Sequence, residues 1–158
     1  MTRMGPEGSG IYMKTVEVDG THVDVIRAQF SSDFEEAMRR YVLFHKTYVD
    51  SKKVDNKAFF VYDLTSMSGK DLCMQAVREF TLCHRNCKVD YVNFLAGTLV
   101  LLDQDSGAIV RIILKALQAL YTPVRPLRIS SDRGAVMQTL RHSLHSTECA
   151  VTNDFANV

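Results

Sequence analysis

The sequence has no glycine-rich phosphate loop, no dinucleotide-binding fingerprint, no internal repeat and no low-complexity tract. The first two absences remove the commonest nucleotide-binding signatures. None of its five histidines, His22, His45, His84, His142 and His145, stands at a spacing from Ser, Cys or Asp that suggests a triad. Cysteine is scarce: Cys73, Cys83, Cys87 and Cys149 do not read as a disulfide framework, so a reducing, cytoplasmic setting is the expectation. Charge of one sign is lacking too. With 19 basic against 18 acidic residues the net charge is +1, which argues against an electrostatic partner such as nucleic acid or a membrane surface. No apolar run reaches membrane-spanning length, because Asp103, Asp105, Arg111 and Lys115 interrupt the longest ones. Residues 1–10, with three glycines and Glu7, lack the apolar segment of a signal peptide and read as a flexible tail.

What is there is an ordinary globular composition, 46% hydrophobic and 23% charged over 158 residues, enough to bury a core as one domain. Its most informative feature is segment order. Residues 12–18 and 22–28 alternate around Asp19-Gly20, a hairpin signal, since a type I′ turn needs positive φ at both central positions. Ser32 with Glu35 fits a capping box for a helix whose stripe is Phe34, Ala37, Met38, Tyr41, Val42, His45, Tyr48 and Val49. Ala58–Leu64 is apolar on both faces, as a central, doubly covered strand should be. A helix over Leu72–Cys87, a strand over Phe94–Leu102, a helix over Ile109–Tyr121, a strand over Leu127–Ile129 and a helix over Val136–Leu144 follow. Pro123 and Pro126 stop the third of these helices. The order β-β-α-β-α-β-α-β-α predicts an α/β domain over 11–145 with a mainly parallel sheet, the hairpin as its antiparallel edge and a polar tail over 146–158.

This order resembles the STAS domain, the fold of anti-sigma-factor antagonists and of the cytoplasmic tails of sulfate transporters. The run Phe59-Phe60-Val61-Tyr62-Asp63-Leu64-Thr65 is similar to that family's central strand, which typically ends in Asp-Leu-Ser. In the bacterial antagonists a Ser or Thr in the following loop is phosphorylated and controls binding to a partner kinase. Here Ser66, Ser68 and Gly69 occupy the comparable stretch, without the family's longer loop and second Asp. The resemblance implies a non-enzymatic protein-interaction module, with no catalytic residues, cofactor or metal.

Residue by residue, the loop Thr65, Ser66, Ser68, Gly69 is the leading candidate for binding or phosphorylation. It joins the carboxyl end of a strand to a helix N-terminus, where free N–H groups favour anions; a plain N-cap with a tight turn accounts for the same residues. Asp103 and Asp105 could offer oxygen ligands to a cation, or Asp105 or Ser106 could simply cap a helix. Arg128 and Arg133 are candidate anion-binding residues, the latter in the loop Ser131-Asp132-Arg133-Gly134. With Arg111, Lys115, Arg125 and Arg141 they make the late part of the chain basic, which also suits a solvated surface. Cys83 and Cys87 lie four apart and could share an ion, but no second ligand pair follows, and they read as small apolar residues on a helix stripe. The alternatives to an interaction module are a nucleotide- or anion-binding domain using the strand-end loops, and a structural subunit pairing through the hairpin edge, with its own copy or a neighbour.

Overall fold

The computed structural model describes residues 2–4, 10–31, 33–51, 56–67, 74–146 and 148–155. The expected cap at Ser32 and the loop residues Ser68 and Gly69 lie outside them, as does Cys73.

The hairpin forms as expected. Strands β2 (Ile11–Val18) and β3 (Thr21–Gln29) pair antiparallel around a turn in which Asp19 has φ +49° and Gly20 φ +81°. Helix α1 (Phe34–Ser51) then leads to β4 (Lys57–Asp63), which is parallel to β3. Strand β4 is covered on both faces. Ala58, Phe60 and Tyr62 join one core cluster, and Phe59 and Val61 join the other.

Beyond β4 run α2 (Met74–Asn86), α3 (Lys88–Phe94), β5 (Leu95–Leu101), α4 (Gly107–Leu120), β6 (Leu127–Ser130) and α5 (Val136–His145). The short α3 was not expected. Tyr91 and Phe94 follow Cys87 at helical spacing and turn their rings inward, so residues assigned to a loop make one more turn of core. Two three-residue strands were also unforeseen. Strand β1 (Thr2–Met4) pairs with Ile11–Met13 of β2, and β7 (Val151–Asn153) pairs with β6. Both lie in stretches read as tails; three residues are too few to carry an alternating pattern. The edge proposed for self-pairing is therefore covered by β1 along three of the eight residues of β2.

The sheet order is β1-β2-β3-β4-β5-β6-β7, without a reversal. Helices α1 and α4 each pack against α2 on one face over the larger core. Helix α5 covers the other face, where Leu140, Val136 and Leu144 meet Val23, Val25, Phe59, Leu99 and Leu101. Neither the cap expected before α4 nor a cap of α5 by Ser131 or Asp132, which the sequence also offers, forms as a side-chain bond. Ser106 precedes α4 without a side-chain cap bond, and Ala135 precedes α5 likewise. Asp132 instead accepts the Gly134 N–H at 2.9 Å and folds the loop itself.

Gly97 shows how closely α5 approaches β5. A Cβ there would lie 2.5 Å from Ser143 Oγ, 2.7 Å from Ser143 Cβ and 3.1 Å from the Pro126 carbonyl oxygen. Gly97→Ala should therefore cost about 1–3 kcal/mol in overpacking. Ser143→Gly should recover part of that in the double variant, since it removes the two closest atoms. A urea-denaturation double-mutant cycle checks this, and strict additivity would refute the contact.

Candidate functional site

The strands β3 to β6 are parallel neighbours, so their carboxyl-end loops lie in a row. The ladder extends into these loops: the Phe30 N–H donates to Asp63 O at 2.9 Å, Leu64 to Leu101 at 2.8 Å and Leu102 to Ser130 at 3.0 Å. The three loops singled out from sequence thus share one sheet edge.

Within that row the residues differ in availability. Asp63, at the end of β4, is almost fully buried and is held from two sides. Arg27 Nη2 donates to its Oδ2 at 2.5 Å, and the Thr65 N–H and hydroxyl donate to its Oδ1 at 3.0 and 2.5 Å. Burial alone would raise the Asp63 carboxyl; the Thr65 and Arg27 hydrogen bonds more than offset it and hold it below the ordinary carboxylate value. Thr65 is therefore committed to Asp63, whereas Ser66 next to it is exposed. Arg128 does not join this edge. Its guanidinium is held by Asp154 at 2.7–2.8 Å and by Thr139 at 3.0 Å. Arg133 is exposed in its loop. The basic residues do not form one patch: Arg111 and Lys115 lie on α4 and Arg141 on α5, on opposite faces, and Arg125 donates to the carbonyls of Ala96 and Ser143. Asp103 and Asp105 are exposed. Neither belongs to a group of three close metal-ligating side chains among the described residues.

The most concentrated chemistry lies under α1, α2 and α3. Six polar side chains from four elements form one file. Cys83 Sγ lies 3.4 Å from His45 Nδ1, and His45 Nε2 is hydrogen-bonded to the Tyr91 hydroxyl. The Tyr91 hydroxyl also meets His84 Nδ1 at 3.0 Å. His84 Nε2 meets the Tyr62 hydroxyl at 2.8 Å, and Tyr62 shares a 2.6 Å hydrogen bond with Tyr41. Helix periodicity assembles the file: Tyr41 and His45 sit one turn apart on α1, and Cys83, Cys87 and Tyr91 repeat at four-residue spacing through α2 and α3. The sheet contributes Tyr62 from the inner face of β4.

Burial decides the protonation of this file. It pushes His45 down to about 4 and His84 well below the ordinary histidine value, the latter with help from neighbouring His45. Burial raises the Tyr41, Tyr62 and Tyr91 phenols well above theirs, and the Cys83 thiol up to about 11 with Cys87 adding to the shift. Both imidazoles are therefore neutral, and a neutral imidazole has one N–H. Tyr91, with a single O–H between two imidazoles, can donate to only one of them. With the Tyr91 O–H itself donating within the file, two unbroken arrangements remain, with every donor pointing toward Cys83 or every donor pointing toward Tyr41. Comparison with known proteins finds no matching family model, curated protein or solved structure.

Beside the file lies an apolar pocket of about 80 Å³ between α1, α2, α4 and the sheet. Its wall includes His84, Tyr62, Thr81, Thr98 and Arg125 among apolar side chains. Sequence reading missed both file and cavity, and the available signal was His45 itself, an ionisable residue in the middle of an apolar helical stripe.

Proposed function

We propose that the chain is a non-enzymatic, STAS-like regulatory module that binds a protein partner at the carboxyl edge of its parallel sheet, with Ser66 as the residue whose phosphorylation switches binding. The observation that supports this reading is the sheet order. Ligand-binding α/β sheets use the crevice where strand order reverses and neighbouring loops diverge. In this sheet the order runs from β1 to β7 without reversal, so the edge is a continuous row of loops, a shape better suited to a protein surface than to a nucleotide. Ser66 is exposed in that row beside the Asp63–Thr65 hydrogen bonds. A phosphate there would place up to two negative charges at the edge.

Mass spectrometry of native protein, with affinity capture comparing wild type, Ser66→Ala, Ser66→Asp and Ser68→Asp, tests the proposal. The expected result is a phosphorylated loop serine and a partner lost or gained in the Asp variant. Identical partners for all four proteins would remove the switch, and the absence of any stoichiometric partner would remove the module reading.

The cavity favours a second reading, small-ligand binding. Its volume of about 80 Å³ is roughly half that of a 150 Å³ engineered apolar cavity known to admit benzene. An occupant larger than a few heavy atoms must then part the helices. A thermal-shift screen with small apolar and phosphorylated compounds separates the readings, since a ligand that binds the native state alone raises Tm.

A further inference from the structure

Three potential metal ligands converge from α1, from α2 and from the junction of α2 with α3. His45 Nδ1, Cys83 Sγ and Cys87 Sγ all lie within 4.8 Å of one another, with 3.4 Å between His45 and Cys83 and 4.0 Å between His45 and Cys87. We propose that these three side chains bind a single divalent cation of the zinc class, with the fourth position taken by an external ligand.

The distances suit the ion. Zinc–sulfur bonds of about 2.3 Å and zinc–nitrogen bonds of about 2.0–2.1 Å place S and N about 3.5 Å apart, and two S atoms about 3.8 Å apart, in a tetrahedral site. The observed separations need shifts of well under an ångström for the His45 contacts. The donor set suits it too: imidazole with two thiolates selects zinc-like ions over the oxygen-preferring magnesium and calcium. Charge balances, because a divalent cation with two thiolates and a neutral imidazole is neutral overall, which suits a half-buried position. On binding, the two S–H bonds break and their protons leave to buffer. Two metal–sulfur bonds and one metal–nitrogen bond form, and nothing is oxidised or reduced. His45 is fully buried while both cysteines are half-buried, so the fourth position faces outward on the sulfur side.

The hydrogen-bonded file supplies the outer shell such a site needs. A metal-bound histidine donates its other N–H to an oriented acceptor. Here that acceptor is the Tyr91 hydroxyl on His45 Nε2. A cation on Nδ1 places the His45 proton on Nε2, which selects the arrangement in which every donor points toward Tyr41. Tyr91 is thus a positioning residue for the metal.

Cobalt(II) titration of the full chain, freed of metal by a chelator and kept under a phosphine reductant, tests the site. Expected are saturation at one equivalent, a thiolate-to-cobalt charge-transfer band and the visible bands of a four-coordinate ion. Zinc should displace the cobalt. Tyr91→Phe should weaken zinc binding about 10–100-fold while keeping the charge-transfer band. Cys83→Ser and Cys87→Ser should each weaken it by more than that and reduce the band. Cys149→Ser and the pair His142→Ala/His145→Ala should leave affinity unchanged, as should Cys73→Ser. Circular dichroism shows that each variant is folded. A wild-type protein without the charge-transfer band overturns the proposal, and this result needs no variant. Loss of binding in the Cys149 or His142/His145 variants overturns it as well, and loss in Cys73→Ser overturns the open fourth position.

Discussion

Tyr91→Phe should cost the fold about 2–6 kcal/mol for the loss of a single oxygen atom. Among the described residues the Tyr91 hydroxyl is the hydrogen-bonded bridge between the two buried imidazoles, meeting His84 Nδ1 at 3.0 Å and His45 Nε2 at its other side. Removing it strands one nitrogen on each ring. A buried polar group left without a partner costs about 1–3 kcal/mol, and no water-accessible surface relieves it, since Tyr91 and His45 are 0% exposed. Against a typical total stability of about 5–15 kcal/mol, the loss is a large fraction. Phe itself fits the space, so the measured change reports the hydroxyl and not a cavity. Urea denaturation of chelator-treated wild type and variant gives the number. A loss below about 1 kcal/mol, the net worth of one ordinary hydrogen bond, would mean that the two imidazoles find other partners.

The second large effect is acid destabilisation that begins unusually early. In the native state burial holds His45 neutral down to about pH 4. Once unfolded, the same imidazole takes up a proton below about pH 6.5. Between those values the unfolded state binds the extra proton, so stability falls as pH falls, and it is fully present above pH 6.5. From His45 alone the loss across this window is about 3 kcal/mol. His84, also neutral through burial, adds in the same direction. Asp63, whose carboxyl is held below its ordinary value, contributes only at more acid pH, where that carboxyl protonates. Urea midpoints of chelator-treated protein from pH 7 to pH 4 check the prediction. A flat profile down to pH 5 would show that the two histidines are charged or solvated in the native state.

How much of this was legible in the sequence depends on the range of the interaction. Asp19-Gly20 named its turn because the requirement, positive φ at two adjacent residues, is local. The residues Ala58 to Tyr62 announced a doubly covered strand, because both faces of one segment can be read from its own residues. Helix α3 escaped notice: at seven residues it is hardly two turns, and its two inward rings, Tyr91 and Phe94, resemble the start of the strand that follows. Strands β1 and β7 were beyond reach for the same reason of length. The site was legible only in halves. Cys83 and Cys87 stand out at four-residue spacing at the end of α2 and just beyond it, and His45 stands out within the stripe of α1, yet nothing local says that these segments pack with those faces together. The sequence separation of 38 between His45 and Cys83 is bridged by tertiary structure alone. Thr65 and Ser66 were likewise indistinguishable until Asp63 was seen to hold one and leave the other exposed.

The unreversed strand order also governs how the chain can assemble. Every strand lies beside the one synthesised just before it, so a new strand leaving the ribosome finds its neighbour already present and waits for nothing downstream. A sheet whose order reverses must hold an edge open until a distant segment arrives, and an open parallel edge is exposed to aggregation while it waits. Folding in chain order would extend this sheet along one growing edge, from β1 toward β7, and leave the opposite edge to β1 throughout.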